Sequence, residues 1–457
     1  MDIKMKSLTI YIIEFFIAIS LVSCGGGSGS SNSASSSNSN TTTDLSVAIP
    51  PNQFMSISDY ALLPNSTTGS GPGGVLSPSN LQSHYNIPTN LTGLGQTIAI
   101  VDAPGAFSTS QIISDLTTFS NYYGLPVLPV CTGSNTPCIT VINLSTSNAS
   151  LPNRSGNSGN NDWSLEIALD IQSAHSIAPK ASILLIIAPS NSNMYSAVQT
   201  AINTAGVTAI SMSFASTEDS TLHTNYDPIF SSGITSKGIA FFASTGDYGD
   251  TSPSVPQYPA SSPYVTAVGG TYITSLTGVA SSSNEKTWGR VTSSVQTGSG
   301  GGYSALTTAP SWQTVSLFPL IFQSSALNSA NLGKRSIPDV SYNGDVYSGV
   351  GIVVGGAWSV IGGTSASSPQ WAAISALLGE YLVNKGSSLS ARIKAAGAGG
   401  FNALIYSLAS YTGASPSFVD ITTGTNGTCG TLCNAQTGYD DTTGIGVPNV
   451  SNFINQF

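Results

Sequence analysis

The chain has 457 residues, of which 7% are Asp, Glu, Lys or Arg and 40% are hydrophobic. That apolar share supports a substantial core and excludes wholesale disorder. With 12 Lys and Arg against 21 Asp and Glu the net charge is −9, and no basic stripe exists to neutralise phosphates, which excludes nucleic acid as a partner. The scarcity of ionisable groups leaves two readings open. One is tolerance of acid, because little charge changes between neutral and acid pH. The other is an extracellular surface that prefers hydroxyls and amides.

Lys4 and Lys6 precede an apolar stretch from Leu8 to Val22, interrupted by Glu14. It is too short for a membrane span and patterned as a secretory signal over 1–23. Leu21-Val22-Ser23-Cys24 is similar to the bacterial lipobox, so Cys24 is expected to carry lipid and begin the mature chain. An ordinary signal with an incidental cysteine is the alternative. Residues 25–43 are almost entirely Gly, Ser, Asn and Thr and read as a flexible tether, and 24–80 is assigned to the tether as a whole. The expected location is the cell envelope or the exterior, with no membrane contact beyond the lipid.

From Leu81 onward, short apolar runs at 96–101, 182–188, 207–213 and 239–244 suit strands buried on both faces. Helices are predicted between them at 110–122, 163–175 and 194–205. The alternation predicts an α/β fold: a doubly wound, mostly parallel sheet with helices on both faces, in a single large domain over 81–457. Cys131 with Cys138 and Cys429 with Cys433 form two close pairs, read in an exported chain as local disulfides. A metal reading wants His or further Cys nearby, and neither pair has them.

Glu166 and Asp170, in WSLEIALDI, are spaced i,i+4 and stand side by side on one helix face. Burial and like charge both raise a carboxyl pKa, so this pair is expected to share a proton in acid and to serve as a general base there. A solvated helix face is the alternative. Asp247, in STGD, directly follows the apolar run 239–244, at the strand end where ligands gather in parallel sheets. Protonated, it donates a hydrogen bond to an oxyanion; otherwise it is a turn aspartate. Ser365, in GGTSASSP, precedes an amphipathic spacing and is expected at or just before a helix N-terminus, with Pro369 tolerated in the first turn. Free N–H groups and the positive dipole end there suit a developing oxyanion, although capping serines are common. A serine nucleophile needs a base. The three histidines offer little: His84 is near the tether, His175 follows a helix, and His223 lies in a polar loop. Asp102, after the first strand, has no matching histidine motif and is read as structural.

WSLEIALDI, STGDYG followed by YPASSPYVTAVGGT, and GGTSASSPQWA, in that order, resemble the sedolisins, the serine-carboxyl peptidases of subtilisin-like fold. EKTW at 285–288, SGGGYS at 299–304 and IPDVS at 337–341 add to the resemblance, which covers about 81–457. It implies peptide hydrolysis in acid, with Ser365 as nucleophile, Glu166 as base, Asp170 poising Glu166, and Asp247 with the Ser365 N–H holding the oxyanion. It also implies one structural calcium ion, held by the side chains of Asp420 and Asp440 and the backbone carbonyls of Ile421, Gln436 and Gly438. Sedolisins usually carry a long folded prosegment, and the stretch between Cys24 and Leu81 is shorter than that. The expectation is a monomeric endopeptidase acting on polypeptides. The alternatives are a tripeptidyl-peptidase of the same family, an inactive peptidase-like surface-binding lipoprotein, a neutral subtilisin-type protease using Asp102 and a histidine, and an amidase or esterase.

Overall fold

The computed structural model describes residues 54–457 other than 64, 134–136, 146–161, 251–255, 292–295, 315–332 and 410–414. The signal, Cys24 and the tether as far as residue 53 lie outside the described residues. Within them no helix is long and apolar enough to cross a membrane.

Strands and helices follow the predicted order. β1 is Phe54–Ser56, α1 is Pro78–His84, β2 is Thr97–Asp102 and α2 is Thr109–Tyr123. β3, Ile139–Asn143, leads to α3, Ser164–Ile177; β4, Ser182–Ile187, leads to α4, Met194–Asn203. β5 is Val207–Met212, α5 is Ser220–Ser232, β6 is Ala240–Ser244, β7 is Thr266–Ile273 and β8 is Glu285–Thr287. β9, Val340–Asn343, precedes the hairpin of β10, Val350–Val354, and β11, Ala357–Ile361, and then α6, Thr364–Asn384. The main sheet has the order β8-β7-β6-β5-β2-β4-β3, with β9 also on β7. Every pairing in it is parallel except β8 with β7. Strands buried on both faces must be apolar throughout, which is why these runs do not alternate.

The chain leaves β2 towards one edge and later returns to β5 on its other side, so the strand order reverses beside β2. That is where an open parallel sheet leaves a crevice at its carboxyl ends. α4 covers β2, β4 and β5 on one face, and α6 covers β5, β6, β7 and β9 on the other, with α3 packed against α6. Trp163, Trp288 and Trp371 are all fully buried.

Two expectations are corrected here. The tether does not run to residue 80: β1 pairs with β11, and Tyr60, Val75 and Leu76 are buried. The Tyr60 hydroxyl donates to the carbonyls of Thr67 and Tyr347, so these apolar residues dock the segment onto the hairpin. Nor is Pro369 in the first turn of α6, which begins at Thr364. A proline in the second turn removes the N–H that would reach the Ser365 carbonyl. The Ser213 hydroxyl takes its place, donating to that carbonyl at 3.3 Å.

Beneath the sheet a fully buried ion pair, Arg335 with Asp339, is closed by hydrogen bonds of 2.6 Å from both guanidinium nitrogens. Asp339 also accepts from the Ala267 N–H and the Tyr406 hydroxyl. Removing one partner of such a pair leaves an uncompensated charge in the core. Arg335→Met is therefore expected to cost about 3–5 kcal/mol at neutral pH, read from denaturant unfolding, and an unchanged midpoint would refute this.

Candidate active site

Three carboxyl groups converge near the carboxyl ends of β2 and β5. Glu166 and Asp170 stand one turn apart on α3, Asp102 ends β2, and all three are fully buried. The expected helix face is thus not solvated; α3 is buried almost all round. Burial is the main cause that raises each carboxyl: Asp102 to about 8, Glu166 and Asp170 well above the carboxylate range, with Asp102 repelling both. The Ser365 and Ser213 hydroxyls lie close enough to Glu166 to pull its pKa back down, as Ser213 does for Asp170. Yet among the described residues no N–H or O–H meets hydrogen-bond geometry on any of the six oxygens. Buried carboxyls without donors are held towards their neutral form, and mutual repulsion couples their titrations.

Ser365 is the second residue of α6 and only 5% exposed. Its N–H belongs to the first turn, where the helix has no acceptor to offer. Asp247, three residues past β6, faces the same turn. Its Oδ1 accepts from the Thr364 N–H and hydroxyl, each at 2.8 Å, while the Gly246 N–H donates to that hydroxyl at 3.0 Å. Gly363 has φ +128°, and a Cβ there would meet Asp247 Oδ2 at 2.7 Å, so glycine admits the carboxyl against the serine turn. Part of Asp247 remains open to solvent, but the protein around it raises its pKa by burial, against the lowering effect of Thr364.

The histidines are engaged elsewhere. His84 is buried and bonded to Glu285 at 3.0 Å. His175 lies inside α3, 3.1 Å from the Ser120 hydroxyl, and burial lowers it to about 4. His223 is not in a loop, as the sequence suggested, but in α5, held between Glu218 and Asp227 at 2.9 Å each.

Both expected disulfides are present, Cys131–Cys138 and Cys429–Cys433. Asp250 joins Cys429 and Cys433 in the one compact group of metal-ligand residue types among the described residues. Those two sulfurs are bonded to each other, so neither is a thiolate ligand. The calcium residues fit a hard cation better. Asp420 and Asp440 are both raised to about 6 by burial, and Asp440 repels Asp420. No ion pair among the described residues offsets that negative charge. Backbone N–H groups of Gly438 and Gln436 donate to Asp420 and Asp440, folding the two strands of loop together. Carboxylates plus the nearby carbonyls of Ile421, Gln436 and Gly438 are the oxygen set such an ion takes.

Two contributors escaped the sequence reading. Asp102 belongs to the acid cluster rather than to the frame, and its place at a strand's carboxyl end beside the crevice was the available signal. Thr364, which grips Asp247, carries no pattern that marks it.

The subtilase family pattern matches residues 155–396. Kumamolisin of Bacillus sp. (strain MN-32) is 29% identical over 384 residues, covering 81% of this chain and 61% of kumamolisin. Sedolisin of Pseudomonas sp. (strain 101) is 28% identical over 400 residues, covering 83% of this chain and 61% of its own. Among solved structures, Pseudomonas sedolisin, a serine-carboxyl proteinase complexed with two molecules of pseudo-iodotyrostatin, matches with a TM-score of 0.62 at 25% identity, over 83% of this chain and 97% of that one. This chain spans about three fifths of the length of the curated relatives it matches.

Carboxyls whose folded pKa lies above the unfolded value stabilise the fold in acid, and that stability is lost as pH rises through the folded pKa. Asp102, at about 8, places part of this loss between pH 4 and 8. Asp102→Asn is expected to flatten the decline in melting temperature over that range. A slope equal to that of the parent protein would contradict the shared cluster.

Proposed function

This chain belongs to the subtilase family, in its sedolisin branch, and on that premise we propose that it is an endopeptidase that cleaves polypeptides in acid through an acyl-enzyme on Ser365. One observation carries the reading: Ser365 lies beside a buried carboxyl cluster while every histidine is bound elsewhere. Glu166 takes the hydroxyl proton as Oγ attacks the peptide carbonyl carbon, and Asp170 holds Glu166 in place. The Ser365 N–H and a protonated Asp247 donate to the tetrahedral oxyanion. Collapse expels the amine, which takes the proton from Glu166, and water repeats the sequence to free Ser365.

Each step sets a pH limit. Asp247 donates only while protonated, and burial raises its pKa, which extends that state towards higher pH than in an exposed aspartate. Glu166 accepts a proton only while it is itself ionised, so activity falls on the acid side wherever the cluster fills with protons, and the profile is bell-shaped. The reading includes export with the 1–23 signal and a lipid on Cys24, and a monomer that takes polypeptide substrates.

The test follows digestion of an unfolded protein from pH 3 to 7.5. Activity is expected to peak in acid and to fall at least ~10^4-fold in Ser365→Ala. Asp247→Ala is expected to lose about 10^2–10^3-fold, and Asp247→Asn, which accepts from Thr364 and still donates, to lose less and decline less towards neutral. A peak near neutral would return the reaction to a histidine base. Release of tripeptides alone would make the enzyme a tripeptidyl-peptidase, cleavage of only small amides or esters an amidase or esterase, and no cleavage by folded protein a binding scaffold.

Calcium would be held by Asp420, Asp440 and the carbonyls of Ile421, Gln436 and Gly438, where it would neutralise the loop's charge and stabilise the fold. Ligand carboxylates must be deprotonated, and these two titrate at about 6. Added calcium is therefore expected to raise the melting temperature more at pH 7 than at pH 4, and Asp440→Asn to abolish the difference. An equal gain at both values would exclude this pair as the ligands.

A further inference from the structure

Asp247 sits on a short segment that ends against a disulfide. Behind it, the Gly298 N–H donates to the Asp247 carbonyl and the Gly249 N–H donates to the Gly298 carbonyl, each at 2.9 Å. In front, the loop around Asn426 closes on the same backbone. The Asp250 N–H donates to the Asn426 carbonyl at 3.3 Å, and the Thr428 N–H to the Asp250 carbonyl at 3.2 Å. The fit leaves no room for a side chain. A Cβ on Gly249 would come within 2.0 Å of the Asn426 carbonyl oxygen, and one on Gly427 within 2.0 Å of the Asp250 carbonyl oxygen.

The loop is in turn set by the Cys429–Cys433 bond. The Asn426 N–H donates to the Cys433 carbonyl at 3.0 Å, and the Cys429 N–H to Cys433 Sγ at 2.9 Å. Cys433 Sγ itself lies 3.5 Å from the Asp250 carbonyl oxygen. On its far side Asn426 Nδ2 donates to the Ser299 carbonyl at 2.9 Å, which wedges the loop between the Asp247 segment and the chain at 298–301.

We propose that the Cys429–Cys433 disulfide is a positioning element: it holds the loop at 424–433 as a brace that fixes Asp247 at the distance from Ser365 at which its carboxyl meets the oxyanion. The proposal rests on the assignment of Asp247 to the oxyanion. The other disulfide, Cys131–Cys138, touches none of these residues and serves as the control for loss of a crosslink.

The full-length protein tests this in four forms: parent, Cys429→Ser/Cys433→Ser, Cys131→Ser/Cys138→Ser, and Gly427→Ala, which pushes the loop from Asp250 while leaving the disulfide intact. Hydrogen exchange over 245–250 and kcat and KM per folded molecule are measured for each. Cys429→Ser/Cys433→Ser and Gly427→Ala are expected to speed exchange over 245–250 and to lower kcat by about 10- to 100-fold with KM little changed, since a small misplacement at a reacting centre costs that much. Cys131→Ser/Cys138→Ser is expected to change neither. In the Cys131→Ser/Cys138→Ser background, reduction should lower kcat and reoxidation restore it. Unaltered exchange over 245–250, or faster exchange with full kcat, overturns the proposal. Full kcat in Asp247→Ala would instead remove the oxyanion assignment, and exchange alone would then decide whether the brace exists.

Discussion

Burying an ionised carboxylate without a partner costs several kcal/mol, and a folded chain escapes that cost by keeping the group protonated or by pairing it. Asp102, Glu166 and Asp170 are buried together, and no ion pair among the described residues includes any of them. Protonation is the remaining solution, and it makes the stability of this part of the fold depend on pH. Elsewhere the chain takes the other route. Arg335 neutralises Asp339, Glu218 and Asp227 enclose His223, and Glu285 holds His84. Asp102, Glu166 and Asp170, where the sheet opens its crevice, are among the carboxyls with no such partner, as are Asp420 and Asp440.

The reversal of strand order beside β2 explains why those groups meet. Residues just past the carboxyl ends of parallel strands have no further strand to pair with, so their side chains and N–H groups are turned to the crevice. Asp102, Ser213 and Asp247 come from three such ends, and the serine turn of α6 closes over them. The Ser213 hydroxyl links two of the pieces by occupying the carbonyl that Pro369 leaves without its N–H. Proline in the second turn of a helix weakens an isolated helix. In this one it frees a carbonyl that ties Ser365 to the end of β5.

The opposite edge of the site is built from glycine and backbone rather than from side-chain packing. Gly363 admits Asp247 beside Thr364, and Gly249 and Gly427 let two loops touch main chain to main chain. Contacts of that kind have little slack, because carbonyls and N–H groups meet at hydrogen-bond distance with no flexible atoms between them. The disulfide at Cys429 and Cys433 belongs to this rigid side of the molecule, and the carboxyl cluster belongs to the titrating side.

By itself the sequence determined many of the elements and supplied the candidate residues that the proposed reaction draws on. Continuous apolar runs marked four of the parallel strands, β2, β4, β5 and β6, to within a residue, because a strand buried on both faces tolerates little else, but left β3, β7 and β9 unmarked; the i,i+4 spacing placed Glu166 and Asp170 on one face of α3; and close cysteine spacing paired the disulfides. The tertiary structure alone decided which charged groups are paired and which are not. His223 and Asp102 are equally unremarkable in sequence, yet one is clamped between two carboxylates on a helix and the other is pressed against Glu166 and Asp170. The same holds for the segment from Phe54 to Leu76, whose polar, glycine-rich composition reads as tether until β11 offers it an edge. Local pattern reports the period of a strand or helix, whereas carboxyl protonation, burial and edge pairing depend on neighbours far away in the chain, and only the folded arrangement specifies those.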